Sequence, residues 1–259
     1  MDQGINIVLL TSGGVWGRNV VAYFAQRDVP ITQVICEQRV SRTKILQRRI
    51  KKLGFWIALG QVLFQTMIVP VLNIIYRARV NQIKADCAIT DTPIPDHLVH
   101  KVASVNDTAV ITLLQQLQPD VVLVTGTRII KASVLNSIAA PFINIHAGIT
   151  PLYRGVHGAY WASVERNSAA CGVTIHLVDQ GIDTGEVLEQ ALITPTQQDS
   201  FITYPLLQLA TGLPLLYNAV QTVREHRLMP QAPLVRESRL RSHPTIWFYL
   251  WQWLRHGIK

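Results

Sequence analysis

Short apolar runs bounded by glycine, proline or polar turns alternate with amphipathic stretches along most of this chain. That is the pattern of buried parallel strands connected by helices. The run at 5–10 (INIVLL) ends in Thr-Ser-Gly-Gly and predicts a strand turning into a helix over roughly 17–27. Further strands are expected at 31–37 (ITQVICE), 85–90 (ADCAIT), 119–126 (PDVVLVTG), 142–146 (FINIH), 171–178 (CGVTIHLV) and 187–193 (VLEQALI). Helices are expected over 41–53, 106–118 (capped by Asn106 or Asp107), 133–139, 156–167 and 201–225. The sum is an α/β fold: a Rossmann-like open, mostly parallel sheet flanked by helices. Its boundaries are a catalytic-type domain over 1–230, a helical apolar insert over about 38–84, and a tail over 231–259.

One stretch breaks the alternation. Residues 55–76 (FWIALGQVLFQTMIVPVLNIIY) carry no charge in 22 positions, long enough to cross a bilayer. Gln61, Gln65 and Asn73 are polar, however, and Pro70 interrupts the helix. Strands on either side must also join one sheet, which a single crossing forbids, and two crossings need roughly 40 residues. The segment is therefore an in-plane or re-entrant membrane element, a homodimer contact, or a helix pair packed on its own protein. The tail poses the same question: Trp247, Phe248, Tyr249, Trp251 and Trp253 make an aromatic, basic helix that either meets an interface or docks on the core.

Charge sharpens the picture. Of the net +8, residues 37–86 hold ten Lys/Arg against two acids, and residues 224–259 hold seven against two. The rest is acidic on balance. A basic insert and tail favour an anionic membrane surface, or form a solvated face. Cys36, Cys87 and Cys171 lie far apart in apolar contexts and read as reduced core residues with no metal spacing. No basic n-region precedes the first strand, so no signal peptide is expected. The expected place is the cytoplasm, at the inner face of the membrane if insert and tail meet lipid.

The candidate chemistry lies in 142–185. Asn144 and His146 are two apart on a strand and share a face. Asp183 sits in a glycine-flanked loop. An amide donor, an imidazole and a carboxylate together suit attack of a nucleophile on a carbonyl through a tetrahedral intermediate. No serine or cysteine stands beside them, so direct transfer between two bound substrates fits better than a covalent intermediate. The first turn adds an anion-receiving candidate in Ser12, Gly13, Gly14 and Arg18, or simply a tight turn for packing.

The segments NIHAGITPLYRG (144–155) and GVTIHLVDQGIDTG (172–185) resemble the folate-dependent formyltransferases. That family includes glycinamide ribonucleotide transformylase, methionyl-tRNA formyltransferase and sugar-nucleotide N-formyltransferases. Its pattern is Asn-x-His, then Leu-Pro-x-x-Arg-Gly, then a strand leading to Asp-x-Gly, and the spacing holds here. The resemblance covers 1–36 and 85–225, leaving the insert and tail outside it.

The resemblance implies that Asn144, His146 and Asp183 are catalytic and that 10-formyltetrahydrofolate is the formyl donor. It implies a pterin site from Gly126, Arg128, Ile129 and Ile130, with the backbone of Arg128 and Ile130 hydrogen-bonding the pterin. The loop of Asp179, Gln180, Gly181, Ile182 and Asp183 would close the other side. Arg154 and Gly155 join the first turn as substrate-binding residues, and Thr150-Pro151 falls where the family often has a cis-proline turn. The expected acceptor is a small-molecule amine such as an amino sugar, and no metal is expected. Val15-Trp16-Gly17-Arg18 replaces the family's Gly-Ser-Asn in the phosphate turn, which points away from glycinamide ribonucleotide. Gly148-Ile149-Thr150-Pro151 replaces its Ser-Leu-Leu-Pro. The absence of the C-terminal domain of methionyl-tRNA formyltransferase points away from tRNA. The alternatives are a formyltetrahydrofolate hydrolase using the same triad, or a membrane-attached relative without activity.

Overall fold

A computed structural model describes residues 4–259. Its frame is a seven-stranded sheet of order β3-β2-β1-β4-β5-β7-β8. Five strands run parallel: β1 (Ile7–Thr11), β2 (Gln33–Glu37), β3 (Val99–Val102), β4 (Val121–Thr125) and β5 (Phe142–His146). Strands β7 (Gly172–Leu177) and β8 (Val187–Leu192) add an antiparallel flank. A separate two-stranded ladder pairs β6 (Arg154–Gly155) with β9 (Leu240–Arg241).

The helices cover both faces in the way the period-2 alternation dictates. Ile7 and Leu9 of β1, Val121 and Leu123 of β4, and Ile143 and Ile145 of β5 point to one side. There they meet α1 (Val15–Ala25) and the long α9 (Tyr204–Arg224). Val8, Leu10, Val122, Val124 and Phe142 point to the other side, under α6 (Thr108–Leu117) and the short α7 (Ala132–Leu135). Each fully buried aliphatic such as Leu209 or Leu216 of α9 contributes about 1.5–3 kcal/mol relative to exposure. Asp107 precedes α6 as its cap residue, but its carboxylate accepts from Ser104 N–H at 3.0 Å rather than from the helix.

Residues 85–90 do not form a strand. The basic helix α2 (Arg42–Leu53), α3 (Phe55–Leu63), α4 (Val69–Ile75) and α5 (Arg77–Asp86) follow one another, and α5 runs through the first two of these residues. The chain then turns through Ala88 at φ 52°, and Asn19 clamps Thr90 with two hydrogen bonds of 2.7 and 3.0 Å. Ile89 plugs the core from the side. The edge strand is β3 instead, whose VHKV is half exposed and so carries polar residues where an apolar run was sought. Cys87, expected in the core, is exposed at the end of α5; Cys36 is half-buried and Cys171 buried.

Nor does Pro70 interrupt the apolar segment. Phe55–Ile75 is one continuous 21-residue helical rod. A π turn at Phe64–Ile68, in which Val69 N–H reaches back to Phe64 O, brings Pro70 into the first turn of α4, where its missing N–H costs nothing. The rod sits between β2 and β3, adjacent strands of one sheet, so it does not cross a membrane.

Insert and tail share a second core. Phe64 and Leu72 of the rod pack with Tyr153, Tyr160 of α8 (Gly158–Val164), Phe201, Tyr204 and Tyr249 of α10 (Ile246–His256). Phe64 lies 4.9 Å, ring to ring, from both Phe201 and Tyr249. The tail is thus docked, through β9 and α10, on the body of the protein. Thr245 caps α10 by accepting from Phe248 N–H at 3.3 Å.

A half-buried histidine pair ties these parts together. His157 Nε2 and His243 Nδ1 are 2.8 Å apart, and Gln65 Nε2 donates to the same Nδ1 at 3.1 Å. His243 Nδ1 is therefore bare, His157 Nε2 carries the hydrogen, and both rings are neutral. Burial pushes His157 down to about 3 and His243 down to about 4. Unfolded, both rings take up protons below about pH 6.5 while the folded ones do not, so stability is full above that pH and lost as pH falls. The expected outcome is an unfolding free energy that drops between pH 7 and 4, by up to about 1.4 kcal/mol per pH unit for each ring. His157→Asn/His243→Gln should flatten that slope; asparagine tolerates the left-handed backbone at 157 (φ 61°). Urea titrations across this range check it.

Candidate active site

The C-terminal ends of β1, β4 and β5 open into one cleft of about 490 Å³. This is where an open parallel sheet offers a crevice, between strands whose connections leave in opposite directions. Asn144 and His146 lie on the same face of β5 as Phe142, but beyond the reach of the helical layer, so they line the cleft instead of the core.

Each side chain is held by identifiable partners. His146 Nε2 is 2.8 Å from Tyr153 O, and a carbonyl can only accept, so the hydrogen sits on Nε2. Nδ1 is left facing Asp183 Oδ1 at 3.4 Å. A close approach makes this possible: Gly148 and Gly158 pass so tightly that a Cβ on Gly158 would lie 2.5 Å from Gly148 Cα. The turn between them is secured by Thr174, which donates to Gly148 O at 2.7 Å and accepts from Thr150 N–H at 3.0 Å. The Thr150–Pro151 peptide is cis, as the resemblance implied.

Asp183 sits at φ 51° in the loop after β7. Its other oxygen accepts from Gly155 N–H at 2.8 Å, and Arg154 Nη1 donates to Ile182 O at 3.2 Å. Arg154, expected to hold substrate, is thus spent on positioning the aspartate loop and does not line the cleft. Asp179 closes the same loop by accepting from Gly181 N–H at 2.9 Å and from the Thr184 hydroxyl at 2.7 Å.

His176 was not singled out by the sequence pattern. It lies opposite Asn144 in the β5–β7 register, and its Nε2 is 3.0 Å from Asn144 Nδ2. His176 Nδ1 donates to Leu177 O at 2.7 Å, so Nε2 must accept from the asparagine. Burial, with His146 nearby, pushes the His176 pKa down and keeps it an acceptor. Asn144 is oriented by this bond, and its second N–H is directed to no described protein acceptor. The only signal in the sequence was a polar residue at the alternate position of an otherwise apolar strand.

Glu37 was missed as well. Its buried carboxylate accepts from Arg128 N–H at 2.7 Å and Val105 N–H at 3.1 Å, and lies 2.8 Å from Arg128 Nε. The guanidinium also donates to Gln38 O and Ala103 O at 2.7 and 3.1 Å. Arg128 N–H, expected to reach a pterin, is thereby engaged inside the protein. Asn106 anchors the next residues, donating to Ile129 O at 2.9 Å and accepting from Lys131 N–H at 2.7 Å. Gly126 turns at φ 67°, which lets the strand end open toward the cleft.

Of the residues expected at the site, Ser12, Gly14, Gly126, Arg128, Ile129, Ile130, Asn144, His146, Gly155, Asp179, Gly181, Ile182 and Asp183 line the cleft. Gly13, Arg18, Arg154 and Gln180 do not. Gly13 shapes the turn at φ 74°, Arg18 lies 3.8 Å from Asp91, and Gln180 is exposed. Trp16, Thr127 and Val156 complete much of the wall.

The Formyl transferase family matches residues 74–204, half of the chain. The protein belongs to that family. The methionyl-tRNA formyltransferase of Syntrophus aciditrophicus is 30% identical over 142 residues, covering 54% of this chain and 44% of that one. The chain spans less than half the length of the curated relatives it matches. The fold is shared with glycinamide ribonucleotide transformylase 1 from Symbiobacterium toebii (TM-score 0.57, 18% identity, covering 88% and 92% of the two chains). It is shared too with a sugar N-formyltransferase from a Shewanella species (TM-score 0.55, 14% identity, covering 92% and 76%). The family match begins inside the insert and ends at the start of α9, leaving α2, α3 and α10 outside it.

Glu37→Gln removes the charge that accepts two backbone N–H groups and pairs with Arg128. It should cost about 1–3 kcal/mol of stability, the penalty of mispaired buried donors. Amide hydrogen exchange should accelerate at Val105 and Arg128 while that of β1 stays slow. Denaturant titration and exchange mass spectrometry measure both.

Proposed function

We propose that the protein transfers a formyl group from 10-formyltetrahydrofolate to the amine of a small-molecule acceptor, an amino sugar or a compound like it. The observation that carries this reading is the meeting, in one cleft, of an uncommitted Asn144 N–H and a His146 Nδ1 that faces Asp183 Oδ1 at 3.4 Å. The cleft volume falls within the range of small-molecule sites, roughly 300–1,000 Å³. The strand end 126–130 and the loop 179–182 both line it and would hold the pterin, with Ile129 exposed there for packing. When bound, the donor supplies a formyl carbonyl attached to a nitrogen that can leave.

Asn144 is placed to donate to the carbonyl oxygen as the acceptor nitrogen bonds to the formyl carbon and charge grows on that oxygen. His146 Nδ1, with its tautomer set by Tyr153 O, can take the proton that the amine sheds, and Asp183 stabilises the resulting imidazolium. The proton then returns to the departing nitrogen as its bond to the formyl carbon breaks, leaving an N-formyl product and tetrahydrofolate. Ser12, Gly14 and Trp16 offer the acceptor a hydroxyl, backbone and an aromatic face on the same wall.

His146→Ala and Asp183→Asn should each lower turnover at least ~100-fold, the usual scale for acid–base groups. The assay follows tetrahydrofolate release from 10-formyltetrahydrofolate with a panel of amino sugars, with methionyl-tRNA, and with no amine. Release without any amine assigns a hydrolase instead, and turnover confined to methionyl-tRNA replaces the acceptor. Near-normal rates in either variant sink the mechanism.

A further inference from the structure

The helical rod Phe55–Ile75 is uncharged and mostly apolar, yet only one side of it is buried. Ala58, Gln61, Phe64 and Leu72 face the protein. Trp56, Met67, Val71, Ile74 and Ile75 recur at helical spacing on the outer side, with Trp56 72% and Ile74 76% exposed. The exposed apolar residues cluster at the two ends of the rod, with half-buried Leu59 and Leu63 between them and the exposed polar Thr66 and Asn73 among those at the C-terminal end. Helix α10 repeats the arrangement. Tyr249 and Gln252 are buried, while Trp247, Trp251 and Leu254 (84% exposed) form an outer face at i, i+4 and i+7. The two faces adjoin, because Ile57 of the rod and Trp247 and Trp251 of α10 line one shallow groove. Trp247 packs so closely on the rod that a Cβ at Gly60 would lie 2.4 Å from its ring.

Helix α2 completes the surface. None of its twelve residues is buried. Ile45, Leu46 and Ile50 gather with Leu53 along one side, and Arg42, Lys44, Arg48, Lys51 and Lys52 occupy the rest. Arg49 donates to Gln65 Oε1 at 3.1 Å and so fixes α2 against the rod. Between Glu37 and Asp86 the chain has no acidic residue at all. A broad exposed apolar face, aromatic at its margin and flanked by an uncompensated basic helix, has the chemistry of an interfacial membrane element.

We propose that this surface, made by α2, the rod and α10, docks flat on an anionic lipid bilayer. The exposed apolar residues enter the headgroup–acyl boundary and the basic side chains meet lipid phosphates. The charge argues against a second copy of the chain as the occupant, since a two-fold contact through this face would bring two acid-free, basic helices together. The surface ends one strand pair from the cleft: Val156 lines the cleft and donates to Arg241 O, and Ser242 and His243 line the groove. Docking is independent of the reaction in the cleft.

The test is flotation of the full chain with phosphatidylcholine vesicles containing about 30 mol % phosphatidylglycerol, against pure phosphatidylcholine, at low and high salt. Binding to the anionic vesicles, weaker on neutral ones and weakened by salt, is expected. Trp56→Ser/Ile74→Ser and Lys51→Glu/Lys52→Glu should each reduce the partition coefficient at least ~10-fold, with circular dichroism and melting unchanged because all four residues are exposed. No flotation of the parent chain overturns the proposal, and so does binding that neither variant weakens. A vesicle-free dimer in sedimentation equilibrium that Trp56→Ser/Ile74→Ser dissociates assigns the face to a second copy and overturns it too.

Discussion

The site depends on the antiparallel register of β7 against β5. That register sets His176 opposite Asn144 and Thr174 opposite His146. One pair orients the amide through a 3.0 Å hydrogen bond. The other, through the Thr174 hydroxyl, holds the turn whose Tyr153 carbonyl accepts from His146 Nε2 and orients the ring. Slipping the register by one residue would turn both side chains of β7 away from the cleft. Asp183 then follows as the strand's continuation, tied by Gly155 N–H to the loop that β6 begins. Strand pairing, tautomer and charge placement are thus one problem with one solution.

Two polar residues that do not line the cleft support it. Arg154 holds the aspartate loop, and Glu37 gathers the strand-end loop through Arg128 and Val105. The buried charge of Glu37 is costly unless it is paired, and Arg128 and two backbone N–H groups supply its partners beside the cleft. They sit one layer outside the atoms that face the cleft.

The insert and the tail are joined to the domain by aromatic packing rather than by the seven-stranded sheet. Phe64, Phe201, Tyr160 and Tyr249 form a second core, and the neutral His157–His243 pair bridges insert to tail within it. This explains how a 21-residue apolar rod can lie between two adjacent strands of one sheet: one side of it has found a protein partner. The rest has not, and the basic α2 is hydrogen-bonded to the rod beside it through Arg49 and Gln65.

The sequence alone determined the sheet and its main crossovers, because buried parallel strands need unbroken apolar runs such as VVLVT and FINIH. It also determined the candidate triad, because Asn144 and His146 two apart on a strand must share a face. It could not place the edge strand, since β3 is wetted on both sides and carries His100 and Lys101 where a core strand carries valine. It could not separate Arg154 from the substrate or bring His176 to Asn144, because those contacts join residues 28 and 32 positions apart and exist only once the strands pair. The fate of 55–76 was likewise open in one dimension. Its composition is equally suited to core and lipid, and only packing decided which side of the rod is covered and which is left bare.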